Sequence, residues 1–417
     1  MQTVEHPGRS RRTTLIIILI LGALSTVMPL SIDMYLPTFP QIADRLRTSV
    51  SEISLSLSSF FIGVSVGQLF YGPLLDRFGR KPPLYAGLAV YVLGSAGCLL
   101  SDSLAMLIGF RLVQALGACV AQVASMAMVR DFFPAREGAK VFSLLMLILG
   151  VSPLFAPTIG GVVAQTLGWQ WVFIVLALVA VGIAVAIFLF LPDGHTGDAS
   201  ISLKPWPILT SFAGICRHPQ FYTYALSGAF SLGGIFAYVA GSPILFMNVF
   251  HLSPQAYSLV FAGLSIGFIG ASQVNIALSR RFGSNNVFKV AIKVQAVVGL
   301  VFLIGTAGGW YGLGLTIATL FLFLCCIGFT YPNAAAMALA PFHSEKAGRA
   351  SALLGFSQVG VGALTSAVVG SFGAHHGLPA IAVIAATSWA GLLALLIGRR
   401  RIHKEVHSAH EADTAMI

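Results

Sequence analysis

The chain has 417 residues, of which 57% are hydrophobic and only 9% charged. Soluble domains carry about 25% charged residues, so an ordinary soluble protein is excluded. A net charge of +10 would point to nucleic acid in a soluble chain. In one this apolar it reads as basic loops that orient a membrane protein, and no nucleic-acid partner is expected.

The apolar residues fall in long runs. Leu15 to Leu30, Ile53 to Leu75, Trp169 to Leu191 and Pro379 to Gly398 carry no charge, and a spanning helix needs about 20 mostly apolar residues. Breaking the runs at charges, Pro and Gly predicts twelve spans, near 13–36, 51–71, 82–100, 104–129, 138–165, 169–191, 220–248, 255–279, 287–306, 311–340, 347–373 and 378–398. The first is expected to be retained. Arg9, Arg11 and Arg12 precede it as they would a signal sequence, but Pro29, Asp33 and Pro37 stand where a small-residue cleavage site would be.

The polar stretch Pro192 to Pro219, with Gly194, Gly197, Pro205 and Pro207, divides the spans six and six. The expected organisation is an all-α membrane protein, with twelve transmembrane helices in two six-helix pseudo-symmetric bundles. These are residues 1–191 and 219–404, joined by a cytoplasmic linker 192–218 and followed by a cytoplasmic tail 405–417. With the N-terminus cytoplasmic, nearly all of the 24 Lys and Arg residues fall on inner segments. Arg45 and Arg47 lie outside and Arg111 lies within a span, so the positive-inside rule is met and both termini are expected in the cytoplasm.

Gly72 to Lys81 (GPLLDRFGRK) is the charged connection between spans two and three. Gly72, Pro73 and Gly79 predict a tight loop there, and Asp76, Arg77, Arg80 and Lys81 a cytoplasmic gate latched through Asp76 and Arg77. Arg280, Arg281, Phe282 and Gly283 sit at the matching place in the second half. A degenerate second copy implies two repeats with a site between them, which is a transporter architecture.

Ionisable groups inside a bilayer are functional candidates by default. Two stand out: the acid Asp33 on span one and the base Arg111 on span four. Asp33 lies about 27 Å along the helix from Leu15, and Arg111 about 10 Å in from the opposite membrane face. Both therefore fall in the outer half, at depths that allow a salt bridge and proton coupling. The competing reading of Asp33 is a helix cap in wet surroundings. Gln114, Ala118 and Gln122 share a face with Arg111 and either line a cavity or bond to neighbouring helices. Pro153, Pro157, Gly160 and Gly161 on span five suit a hinge or simple close packing. Tyr35, Phe236, Asn248 and Asn333 are further candidates for a substrate cavity.

The five cysteines show no CxxC spacing, and four lie in apolar runs. They read as packing residues. The ten histidines show no metal-ligand spacing, and there is no phosphate-binding GxxxxGK[ST]. No metal, cofactor or catalytic cluster is expected.

Gly72, Leu74, Asp76, Arg77, Gly79, Arg80, Lys81 and Leu84 resemble the signature between spans two and three of the major facilitator superfamily. RLVQALG, with Arg111, Gln114 and Gly117, is similar to its span-four signature, whose arginine is implicated in proton coupling. Span five resembles the drug/proton antiporter signature, with Ser143, Ser152 and Ala156 where the pattern has glycine. SIDMYLPTFPQIA at 31–43 and MVRDFFP at 128–134 are similar to the bicyclomycin-resistance (Bcr/CflA) group, in which Asp33 matches the span-one acid. The second half departs by placing Ser279 or Arg280 where Asp76 stands in the first. The resemblance implies a monomeric, proton-driven exporter of antibiotics across the bacterial inner membrane. A dedicated exporter of one metabolite, an amino acid or a sugar, is the alternative on the same fold. A membrane enzyme or receptor lacks any supporting cluster.

Overall fold

The computed structural model describes residues 11–133, 135–192, 197–201, 205–342, 345–372 and 377–414. Arg9, Pro134, Gly194, Lys204 and residues 415–417 of the tail lie outside them. So do the side chains of Arg11, Arg136, Lys140, Ser143, Pro205, Pro207, Lys346 and Lys404. Among the described residues, 12 helical runs are long and apolar enough to cross a membrane.

The first six runs begin with α1 (Arg11–Asp33) and α2 (Phe39–Leu46), followed by α3 (Val50–Phe78), α4 (Lys81–Leu99), α5 (Leu104–Phe132), α6 (Ala135–Thr166) and α7 (Gln170–Phe190). A 3-10 turn at Leu36–Thr38 joins α1 to α2, so the first span runs from Arg12 to Leu46 and extends past the expected 13–36. The short helix α8 (Pro205–Cys216) lies within the expected linker and buries Phe212 and Ile215. Then follow α9 (Pro219–Pro243), α10 (Pro254–Phe282), α11 (Ser284–Ala307), α12 (Leu313–Leu339), α13 (Glu345–Ser371) and α14 (Leu378–Thr414).

The predicted loop at Gly72–Lys81 is corrected. Helix α3 continues through Gly72, Pro73, Asp76 and Arg77 and ends at Phe78. Pro73 removes one hydrogen bond from a helix that neighbouring helices hold in place, and membrane spans tolerate that. The turn is the pair Gly79 and Arg80, with Gly79 at φ 80°. Gly283 closes α10 with φ 81°, so the second half turns on the same residue type at the matching place.

Lipid gives no hydrophobic drive between helices, so association depends on close contact and internal hydrogen bonds. Leu178, Leu259 and Phe188, 64–77% exposed, present apolar surface outward. Inside, glycines bring backbones together. A Cβ on Gly117 of α5 would collide with the backbone of Tyr91 and Gly87 of α4, and one on Gly94 with the backbone of Gln114. Gly109, on the same helix as Gly117, has open space. Gly117→Ala should therefore destabilise the protein by about 1–3 kcal/mol, the usual range for overpacking, while Gly109→Ala should be neutral or slightly stabilising. Thermal unfolding of the two variants in detergent checks this, and equal behaviour would contradict the packing assigned to α4 and α5.

Candidate functional site

The first span breaks at its acid. Pro37 has no N–H to offer the Asp33 carbonyl four residues back. The chain tightens instead, with Tyr35 N bonded to Ile32 O at 3.2 Å and Thr38 N to Tyr35 O at 3.0 Å. Gly160 of α6 leaves no room for a side chain against Met34 at this break. Asp33 is only 5% exposed, which removes the reading of a cap in wet surroundings. Its Oδ2 is buried without a hydrogen-bond partner.

The salt bridge expected between Asp33 and Arg111 is not formed. Arg111 is fully buried between the rings of Tyr35 and Phe60, at 4.4 and 4.3 Å from their centroids. Its Nη1 donates to Gln114 Oε1 at 2.6 Å, while Nε and Nη2 have no partner. Gln114 Nε2 then donates to Ser95 Oγ at 2.7 Å. The reason lies in the helix period. Asp33 and Tyr35 are two residues apart and project to nearly opposite sides. Tyr35 faces Arg111, and the 3-10 turn after Asp33 packs on α9 and α10.

The other predicted cavity residues separate by burial. Tyr35 is fully buried, with its hydroxyl 2.7 Å from Ser56 Oγ, and Gln114 is sealed in the Arg111 network. Asn333 ties α12 to α10, donating to Asn275 Oδ1 at 2.6 Å and accepting from Ser279 at 3.0 Å. Each of these three bonds within its own half. Gln122, Phe236 and Asn248 are half-buried. Phe236 meets Phe61 of the first half edge-to-face at 4.6 Å, and Asn248 lies in the π turn Ile244–Val249 that ends the seventh span. Pro153 and Pro157 sit inside the unbroken α6, and Gly161 packs near Ser258 of α10.

A seam between the halves was not foreseen. Ser51, Ser58 and Ser65 recur every seventh residue on α3 and face α13. Ser51 Oγ donates to Gly370 O at 3.1 Å, Ser58 and Ser366 hydroxyls lie 2.8 Å apart, and Ser65 Oγ donates to Phe356 O at 3.0 Å. The heptad spacing of serines in an apolar run was the available signal. Gln165 of α6 and Gln255 of α10 add a further bond at the end opposite the charged hairpin.

At the charged hairpin the latch through Asp76 and Arg77 is also corrected. Arg80 is the centre. It donates from Nη1 to Asp76 Oδ1 and from Nε to Asp131 Oδ2, both at 2.7 Å, and from Nη2 to Asp131 Oδ1 at 3.2 Å. Burial disfavours the Arg80 charge, but the bonds to Asp131 and Asp76 more than offset this and hold the guanidinium above its usual range. Arg77 instead donates to Ile201 O at 2.5 Å, and Asp198 N to Asp76 O at 2.9 Å. The linker is thereby strapped to the first half. Lys81 is half-buried at the start of α4. Asp131 was missed because it lies far along the chain, at the end of α5.

A bundle of twelve spans in two halves, with ionisable groups buried among its helices, has the build of a membrane transporter. The family model described as Major Facilitator Superfamily matches residues 19–367, and the chain belongs to that superfamily. It is 31% identical over 353 residues to an uncharacterized MFS-type transporter, YdgK, of Bacillus subtilis, covering 84% of this chain and 87% of that protein. It is 30% identical over 364 residues to a bicyclomycin resistance protein homolog of Haemophilus influenzae, covering 87% and 90%. The fold matches the crystal structure of a bacterial homolog of the human lysosomal transporter Spinster, inward-facing and unoccupied. That match has a TM-score of 0.69 at 14% identity, over 94% of this chain and 96% of that one.

The Asp131 side chain is 17% exposed and that of Asp76 52%. Removing the buried partner of a buried charge costs about 3–5 kcal/mol, whereas an exposed partner contributes about 0–1 kcal/mol. Asp131→Ala should therefore lower thermal stability much more than Asp76→Ala. Equal losses would displace Asp131 from this role.

Proposed function

We propose that this chain is a proton-coupled exporter of antibiotics or other small molecules across the bacterial inner membrane. It works as a monomer by alternating access. Residues 1–191 and 219–404 form the two rocking halves, and the termini, the linker 192–218 and the tail 405–417 face the cytoplasm. Support for drugs as cargo comes from the relative named for bicyclomycin resistance.

The observation that carries proton coupling is the Asp33 carboxyl, buried at a break in the first span with Oδ2 unpartnered. An ionised carboxylate held there is costly, and taking up a proton removes the cost. The carboxyl therefore exchanges protons with whichever side water reaches. Arg111 is a fixed charge whose Nε and Nη2 are unpartnered, and they offer two donors to an incoming acceptor group. The half-buried Gln122, Phe236 and Asn248 line the cargo path. The serine seam and the phenylalanine pair Phe61–Phe236 are contacts that part and re-form, with α6 bending at Pro153, Pro157, Gly160 and Gly161. The Arg80 cluster keeps the cytoplasmic end of the first half rigid.

Asp33→Asn should insert normally but lose efflux driven by a pH gradient, read in everted membrane vesicles by drug fluorescence. Unchanged efflux would overturn the proton assignment. Cells carrying the intact chain should show several-fold lower susceptibility to at least one antibiotic in a panel. A growth phenotype confined to a single amino acid or sugar would instead identify a dedicated metabolite exporter.

A further inference from the structure

Asp33 faces the opposite half as well as its own. The 3-10 turn that follows it packs on α9 and α10, which carry Tyr238 and Tyr257. Tyr257 is satisfied, with its hydroxyl 2.9 Å from Ser242 Oγ. Tyr238 is not. It is 4% exposed, its ring stacks on Phe261 with centroids 5.7 Å apart, and its hydroxyl has no hydrogen-bond partner. A buried donor without an acceptor thus sits on a helix packed against the turn that follows a buried acceptor without a donor. Each alone is costly, and together they are complementary.

We propose that Tyr238 is the second half's counterpart to Asp33. Its hydroxyl donates to the ionised carboxylate when the carrier is empty and closed at this end, and so holds the empty carrier from switching.

This inference rests on the antiport reading. An exchanger must switch when loaded with a proton or with cargo, and must not switch when empty, or protons run down their gradient without export. A hydrogen bond to an ionised carboxylate is roughly twice as strong as one between neutral groups. Protonating Asp33 weakens the link, and cargo entering between the halves displaces it. Either event frees the halves, whereas the empty, ionised carrier remains locked. Toward this turn α9 and α10 carry the titratable side chains of Tyr238 and Tyr257, and α6 contributes Gly160 at the break. Arg111 cannot substitute, because it is held by Tyr35, Phe60 and Gln114 inside the first half.

The test reads proton leak without cargo. Full-length protein is reconstituted in liposomes containing a pH-sensitive dye, and a pH jump is applied outside with no drug present. The wild type should be tight. Tyr238→Phe, which keeps the ring on Phe261, should acidify the lumen several-fold faster. The double variant Tyr238→Phe with Asp33→Asn should be tight again, because the proton carrier is gone. A tight Tyr238→Phe overturns the lock, and so does a leak that persists in the double variant, which would mark a structural breach. These results are separable from the antiport reading, which falls if Asp33→Asn alone still exports drug.

Discussion

In the hydrocarbon region every polar group must find its partner inside the protein, since no water is there to replace it. That constraint arranges the interior of each half. Arg111 is enclosed by two aromatic faces and Gln114, a setting in which a desolvated cation–π contact contributes about 2 kcal/mol or more. In the second half Ser231, Gln295 and Thr330 close a small network at 2.6 Å, and Asn275, Asn333 and Ser279 close another. Departures remain among the described residues, at side-chain atoms of Ser152, Thr223, Thr306 and Gln358 and at the ionisable groups of the proposed site. Asp33 Oδ2, Tyr238 Oη and two nitrogens of Arg111 are buried without partners. Groups left unsatisfied where two bodies meet are free to change partners when those bodies move.

The seam between α3 and α13 follows the same logic. Hydroxyl bonds between membrane helices contribute about 0.6 kcal/mol on average. A row of serines facing Gly370, Ser366 and Gly360 therefore joins the halves closely without fixing them. The Arg80 cluster is the opposite case. Its charges are paired within the first half and its geometry is multidentate, so it behaves as a rigid corner. The strap through Asp198 and Ile201 carries that rigidity into the linker.

Pseudo-symmetry is visible in where regular helix fails. The first span breaks at the turn Leu36–Thr38 and the seventh at the π turn Ile244–Val249, so the leading helix of each half loses its α geometry toward the same end. The halves diverge in chemistry. The acid of the first break has no equivalent acid in ILFMNV, and the second half supplies Tyr238 instead, just before its break. At the hairpins both halves turn on a glycine, but only the first carries the acid that meets Arg80. The buried acid and the charged corner are therefore both first-half features.

The twelve spans, their six-and-six division and the family were legible in the sequence, because each depends on local composition. Runs of about 20 apolar residues, a polar interruption at 192–219 and a charged GPLLDRFGRK state themselves without knowledge of the fold. Asp33 and Arg111 also stand out in the sequence, since an ionisable group in an apolar run needs a reason. Partnerships were not legible. Asp33 and Arg111 share a depth but not a side, because two residues of helix separate the carboxyl from Tyr35, which takes the arginine. Asp131 reaches Arg80 only through helices that lie far apart in the chain. The loop expected at Gly72 and Pro73 is helix because its neighbours support it. Hydropathy is a property of one segment and sets where the chain crosses the bilayer. Which polar atoms then meet depends on the rotation of each helix about its axis, and packing between segments alone decides that.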